Sequence, residues 1–283
     1  MATKDKNVLI TGASTGIGEA TALYLAERGW QVFAGVRKAA DAKRLEEMHP
    51  SISPVTVDVT KPAQIKAAVK TIQKQTGRAG LQGLVNNAGV AMTGPLEFLP
   101  IEELRSQFEV NFLGQVAVTQ AFLPLLRKGK GRVVNMSSIS GKVTSPFLVP
   151  YSSSKHALEA FSDGLRRELR PWKLHVASIL PGPVATPIWD KSLDQAAEAS
   201  ARLPKQAEAL YGAAMRSRLK QAAQLGMHGV PPEAVARDVL HALRATRPRT
   251  RYAPGRLIAL AIFALRFAPD RLLDWLLTRR SRS

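Results

Sequence analysis

Short apolar runs alternate with longer amphipathic stretches through the first 185 residues. The β-type runs are Asn7–Thr11, Gln31–Val36, Ile52–Asp58, Gly83–Asn86, Gly131–Ser137 and His175–Leu180. Several are rich in Val, Leu and Ile at successive positions, the pattern of strands covered on both faces. Between them, Gly18–Arg28, Lys61–Thr76 and Tyr151–Leu169 carry helical periodicity. Strand, helix, strand at this spacing predicts an α/β fold: one doubly wound parallel sheet of about seven strands with right-handed crossovers. Such sheets bind ligands beyond the C-terminal ends of their strands.

The pattern changes after Pro187. Residues 190–226 are rich in Ala, Gln and Lys, with helical periodicity and little β signal. An insertion of this kind often covers a site, so 187–228 is expected to form a helical substrate lid. A helix is predicted over Pro232–Thr246 and a last strand near Arg251–Ala253. Two helices, Arg256–Phe267 and Asp270–Arg280, are separated by Pro269 and form an expected extension over 254–283. With 283 residues, the chain suits one large α/β domain spanning 1–283.

Composition is globular, with 45% hydrophobic and 22% charged residues. The absence of cysteine excludes disulfides, thiolate metal sites and cysteine nucleophiles. No apolar stretch of signal-peptide length precedes the first strand, which points to a cytoplasmic protein. The longest apolar run is Leu257–Leu265, far short of the roughly 20 residues of a membrane-spanning helix. Net charge is +18, and Arg202–Ser283 alone holds 16 Lys/Arg against 5 Asp/Glu. A basic surface attracts phosphates, anionic lipids or nucleic acid without specificity. The arginines are scattered, with no basic helix or aromatic platform to suggest specific nucleic-acid binding.

The first strand runs into Thr11-Gly12-Ala13-Ser14-Thr15-Gly16-Ile17-Gly18 and then a helix. Glycine at 12 and 16 lets backbone approach a pyrophosphate, and Gly18 lets the helix pack close to the sheet. The helix N-terminus offers free N–H groups to phosphate. This is the sequence signature of a Rossmann-type dinucleotide site. The second strand ends at Val36, where such folds usually place an acid that holds the ribose hydroxyl of NAD. Here Arg37 and Lys38 follow, and no acid occurs before Asp41. A guanidinium suits a 2′-phosphate, which favours NADP(H) over NAD(H). Asp58 could accept a hydrogen bond from adenine, or cap the helix beginning at Lys61-Pro62.

Tyr151 and Lys155 lie one helical turn apart, on one face. A free phenol titrates near 10 and is a poor proton donor or acceptor at neutral pH. An ammonium beside it, with a positive nicotinamide ring, favours the phenolate and is expected to lower that value. The phenol could then exchange a proton with a carbonyl or alcohol oxygen. A serine-rich strand end, Met136-Ser137-Ser138, lies upstream.

Taken together, the Thr11–Gly18 turn, Asn86-Asn87-Ala88-Gly89, Asn111, Asn135-Met136-Ser137-Ser138, Tyr151-Ser152-Ser153-Ser154-Lys155 and Pro181–Thr186 resemble the short-chain dehydrogenase/reductase family. The resemblance runs from Asn7 to about Trp189. It implies an oxidoreductase moving hydride between a nicotinamide cofactor and an alcohol/carbonyl pair, without metal. It assigns catalysis to Asn111, Ser138, Tyr151 and Lys155. Ser138, 13 residues before Tyr151, would stabilise the substrate oxygen, and Asn111 would hold a water that joins Lys155 in a proton relay. Cofactor contacts are implied for Gly12, Ser14, Thr15, Gly16, Ile17, Gly18, Arg37, Lys38, Asp58, Val59, Asn87, Ala88, Gly89, Tyr151, Lys155, Pro181, Gly182, Val184 and Thr186. Thr15 departs from NADP-preferring relatives, many of which are basic there, so the NADP preference rests on Arg37 and Lys38.

Substrate-side positions implied by the resemblance include Met92, Phe147, Leu148 and Trp189, beside Ser138. This apolar lining suits a hydrophobic alcohol or ketone of steroid, retinoid or lipid type. Arg247-Pro248-Arg249-Thr250-Arg251-Tyr252 resembles the corresponding region of hydroxysteroid and retinol dehydrogenases. The alternative substrate is a smaller carbonyl compound. Two readings of the C-terminal helices stay open: an interfacial pair on an anionic membrane, or a cap on the pocket or a second subunit. The family resemblance also implies a homodimer or homotetramer.

Overall fold

A computed structural model describes residues 6–185, 204–265 and 267–278. Seven strands form one sheet: β1 Asn7–Thr11, β2 Gln31–Val36, β3 Ile52–Thr56, β4 Gly83–Asn86, β5 Arg132–Met136, β6 His175–Ile179 and β7 Arg251–Tyr252. All are parallel, in the order β3-β2-β1-β4-β5-β6-β7. The order reverses between β1 and β4, which opens a crevice at their C-terminal ends.

Alternation along each strand divides the core between two faces. Val8 and Ile10 point to one side, with Val32, Ala34, Val134 and Ile179. There they meet Ala22 and Leu25 of α1 (Gly16–Ala26) and Val235, Val239 and Leu243 of a helix over Pro232–Arg244. Leu9, Phe33, Leu84, Val133 and Val176 point to the other side. They are covered by α3 (Pro62–Thr76), α5 (Gly114–Gly129) and α6 (Val149–Glu168), through residues such as Ile72, Phe122 and Leu165. Strands buried on both faces explain the near-continuous apolar runs.

The remaining helices are α2 (Ala39–Met48), α4 (Ile101–Phe108), α7 (Lys205–Met227), α8 (Pro232–Arg244, named above), α9 (Arg256–Leu265) and α10 (Asp270–Thr278). Helix α4 passes into α5 through one π-helical segment, Glu109–Leu113. Within the described residues the expected strands and helices fall within two residues of those observed, except the 187–228 insertion, of which 187–203 lies outside the described residues and the remainder forms α7. β3 stops at Thr56, short of the expected Asp58, because the chain turns there. Thr60 donates to Asp58 Oδ1 from its backbone N–H and its hydroxyl, at 2.9 and 2.8 Å. α1 begins at Gly16 although glycine disfavours helix, because packing decides where propensity is weak. Among the described residues, no helix is long and apolar enough to cross a membrane.

Candidate active site

The glycine turn lies at the crevice between β1 and β4. Gly12 has φ +64°, and a Cβ there would sit 2.7 Å from Ala88 Cα. A Cβ on Gly18 would lie 2.2 Å from the Gly12 carbonyl oxygen. Side chains at these positions would collide with the protein's own backbone, so glycine lets the turn close tightly against the β4 end and the start of α1. Thr15 enters α1 in an extended conformation and caps it with no side-chain bond, which leaves the first N–H groups of the helix without a side-chain cap. The turn therefore fits a dinucleotide. Its shape is held by Thr11 and Asn87. Thr11 Oγ1 accepts from the N–H groups of Asn87 and Ala88, at 3.0 and 3.1 Å, and the Asn87 amide donates to the carbonyls of Thr11 and Gly12.

At the C-terminal end of β2, Arg37 is exposed, and Lys38 enters α2 in extended conformation. Burial pushes the Asp58 carboxyl up, but the Thr60 bonds and the charges of Arg37 and Lys61 prevail and hold it below its ordinary range. Asp58 makes no cap bond to α3, whose first position follows Lys61, so the capping alternative is not realised. Val59 is buried, and its side chain packs where a Cβ on Gly114 would lie. Arg44 of α2 was not anticipated. It bonds the Ser14 carbonyl and Glu19, the latter at 2.6 Å, and so ties α2 to the glycine turn.

Ser138, Tyr151 and Lys155 converge at the C-terminal end of β5. Ser138 opens a 3-10 turn, Ile139–Gly141, where its hydroxyl accepts from the Ser140 N–H at 3.1 Å. The same hydroxyl hydrogen-bonds the Tyr151 phenol and lowers its pKa. Burial outweighs this and leaves the phenol above its ordinary value. The expected lowering calls for the positive nicotinamide ring beside the ammonium, and without that ring burial sets the direction. Lys155 Nζ lies 5.7 Å from the Tyr151 ring centre and donates to the Met136 carbonyl at 2.8 Å. Burial lowers the Lys155 amine to about 8, against the opposing pull of Glu159. An amine titrating there can both hold and release a proton near neutral pH. Ser137 contributes no hydrogen bond from its buried hydroxyl.

Asn111 sits fully buried in the π-helical segment, a feature that often marks functional sites. Its side chain is engaged: it accepts from the Val90 N–H at 2.8 Å and donates to the Val90 carbonyl and Ser154 Oγ. It also borders Gly89, beside Lys155 Nζ. Gln107 and Gln115, which the motifs do not reveal, serve the same segment. Gln107 accepts from the Met92 N–H at 2.8 Å and bonds the Val90 carbonyl, and Gln115 donates to the Ala88 carbonyl. The Pro181–Ala185 segment borders the crevice. The Pro181 carbonyl accepts from Ile139, Gly182 packs against Ile258 of α9, and Val184 pairs with Val230. Thr186 and Trp189 lie outside the described residues.

Met92, Phe147 and Leu148 are half-buried around the mouth. Phe147 takes φ +66°, a strained conformation for a bulky residue. Tyr211 of α7 sets its ring edge-on to Phe147 and Phe98, at 6.2 and 6.1 Å between centres, and donates to Glu97 at 2.8 Å. No sequence signal distinguished Tyr211 from its Ala-rich helix.

A dinucleotide turn at the switch point of a parallel sheet, with Ser, Tyr and Lys beside it, defines a nicotinamide-type oxidoreductase. Residues 6–197 match the family described as short chain dehydrogenase, and the chain belongs to that family. It is 42% identical over 274 residues to an NADPH-dependent 3-dehydrocapnine reductase of Ornithobacterium rhinotracheale, covering 94% of each chain. It is 37% identical over 290 residues to mouse retinol dehydrogenase 5, covering 99% of this chain and 91% of that one. A solved short chain dehydrogenase from Burkholderia cenocepacia in complex with NADP shares the fold. Its TM-score is 0.74 with 27% identity, over 98% of this chain and all of the other.

Proposed function

We propose that the protein is an NADP(H)-dependent oxidoreductase that interconverts a hydrophobic secondary alcohol and its ketone, or the corresponding aldehyde pair. The observation that carries this reading is the convergence of Ser138, Tyr151 and Lys155 at the β5 end, beside the glycine turn. When bound, the nicotinamide supplies or accepts the hydride. Tyr151 gives the proton to the carbonyl oxygen, or takes it from the alcohol. Ser138 bonds the same oxygen as charge develops on it. The Lys155 ammonium favours the phenolate left behind. Asn111 fixes Gly89-Val90 beside Lys155, where a water can continue the proton path. Gly12 to Gly18 would hold the pyrophosphate, Asp58 to Val59 and Asn87 to Gly89 would border the adenosine, and Pro181 to Ala185 would border the carboxamide.

NADP(H) is favoured because exposed Arg37 and Lys38 follow β2 where an acid would serve NAD. The NADPH-dependent relative and the NADP-bound structure support this. The apolar mouth of Met92, Phe147 and Leu148, beside α7, which presents Tyr211, supports a lipophilic substrate. The retinol dehydrogenase relative does too. The C-terminal helices suit peripheral contact with an anionic lipid surface. α9 packs inward through Ile258, while Leu260, Phe263 and Phe267 stay exposed, joined by Leu272, Trp275 and Leu276 of α10. An overall charge of +18 complements such a surface and disfavours burying this face against a second copy. A homodimer or homotetramer would form through other faces.

The test is separate titration with NADPH and NADH, with Arg37→Ala alongside, followed by retinaldehyde and a 17-ketosteroid as probes. Much tighter NADPH binding that collapses in the variant supports the cofactor reading. Equal binding of NADH removes it. Turnover of neither probe, with turnover of small carbonyls, shifts the substrate to the smaller class.

A further inference from the structure

The Arg247–Tyr252 motif has no part in the chemistry above, yet its Arg251 reaches toward it. Arg251 lies on β7, paired in register with Ser178 of β6. Its Nε donates to Glu159 Oε2 at 2.8 Å, and its Nη2 donates to Asp163 Oδ2 at 2.9 Å. Glu159 is one turn beyond Lys155 on α6, and only 4% of its side chain is exposed. The same Oε2 meets Lys142 Nζ at 2.8 Å. Lys142 immediately follows the 3-10 turn that Ser138 opens.

The turn is also pressed directly onto α6. A Cβ on Gly141 would lie 2.8 Å from Ser137 Oγ and 3.1 Å from both Glu159 Cγ and the Lys155 carbonyl oxygen. Three segments therefore meet on one buried carboxylate: the Ser138 turn, the helix of Tyr151 and Lys155, and the last strand. A buried ion pair is weak evidence for stability, since desolvation offsets the attraction, and its better-attested use is to fix one arrangement.

We infer that Glu159 is a positioning residue, holding the Ser138 turn against α6 through Lys142 and Arg251 and keeping a negative charge one helical turn from Lys155. The inference rests on the proton-transfer reading of Ser138, Tyr151 and Lys155. The charged groups facing Glu159 are Lys142 from the turn, Arg251 from β7, and Lys155 and Asp163 from its own helix. Asp163 is itself held by Arg166 and Arg251, and β6 offers only neutral Ser178. Burial pushes the Glu159 carboxyl up, but Lys142 and Arg251 prevail and keep it anionic. That anion opposes the loss of the Lys155 proton. Without it, the amine becomes neutral at lower pH and the phenolate loses its cation.

The experiment compares full-length wild type with Glu159→Gln and Glu159→Asp, with Tyr151→Phe and Lys155→Met in parallel. The Lys155 side-chain amine is titrated by NMR, its signal assigned by loss in Lys155→Met, which needs no substrate. NADPH-dependent reduction of retinaldehyde is followed over the same pH range, together with NADPH affinity. In Glu159→Gln the Lys155 midpoint and the alkaline limb of kcat are expected to fall by about one pH unit. This would lower kcat above pH 8 about tenfold, because each pH unit changes the protonated fraction tenfold. NADPH affinity should change less than kcat, and Glu159→Asp should lie between. An unmoved Lys155 midpoint in Glu159→Gln overturns the inference, whatever happens to thermal stability. If Glu159→Gln does not fold, the Glu159→Met/Lys142→Met double variant, which removes the carboxylate together with one of its cations, decides: a lowered Lys155 midpoint supports the inference and an unmoved one overturns it. Active Tyr151→Phe and Lys155→Met would instead sink the proton-transfer reading, and this inference with it.

Discussion

Replacing Lys155 by methionine is expected to make the protein more stable and inactive. Lys155 is 4% exposed, and burial brings its amine from the ordinary 10.5 to about 8. At neutral pH that displacement corresponds to about 3 kcal/mol against the folded state. Methionine fills nearly the same volume without charge. It forfeits the bond to the Met136 carbonyl, which contributes about 1 kcal/mol when made by a neutral donor. The net expectation is a gain of about 2 kcal/mol, or roughly 4 °C in melting midpoint for a chain of this size. Glu159 keeps Lys142 and Arg251, so no carboxylate is stranded. The gain should depend on pH in a definite direction. The folded value lies below the unfolded one, so between about pH 8 and 10.5 the unfolded chain binds the proton more tightly. Wild-type stability then rises with pH across that window, and the advantage of the variant shrinks. Differential scanning fluorimetry of both proteins at pH 7 and pH 10 checks this. A variant that melts below wild type at pH 7, or an advantage that persists at pH 10, would refute the reasoning.

Gly12→Ala should weaken NADPH binding at least tenfold by fluorescence titration, because its Cβ meets Ala88 backbone at a left-handed position. Tyr211→Ala removes two edge-on ring contacts, each contributing about 1 kcal/mol. It should raise KM for a lipophilic probe about tenfold while leaving NADPH affinity near wild type. Asp163 is held down to about 2 by Arg166 and Arg251, which outweigh its burial. It therefore contributes stability above the ordinary carboxylate range that is lost as pH falls from about 4 to 2. Asp163→Asn should flatten acid unfolding in that window, as followed by circular dichroism.

The sheet was legible because several strands are rich in Val, Leu and Ile at successive positions, the pattern that burial on both faces produces. The glycine turn and the Tyr–Lys spacing were legible because local geometry demands those residue types. What escaped depends on approach between distant segments. Thr11, Gln107, Gln115, Arg44 and Tyr211 act through partners 15 to 114 residues away, and nothing around them in the chain marks the contact. Glu159 looked like one more polar position on an amphipathic helix until Lys142 and Arg251 were found beside it. Helical spacing places Lys155 on the right face but does not show that its amine bonds the Met136 carbonyl.

The π-helical segment at Glu109–Leu113 makes chain length itself a determinant of the site. A π turn is an α turn carrying one residue too many, kept because something gains from the surplus. Removing one residue, for instance Val110, would let α4 and α5 run on as an ordinary helix. Each residue of an α-helix advances the face by about 100°. Asn111 would then swing away from Val90 and Ser154, while the helices on either side kept their hydrogen bonds. Proteins descended from this chain can exchange much of the surface of α4 and α5, but a single-codon deletion between them would disconnect the floor of the crevice without unfolding anything.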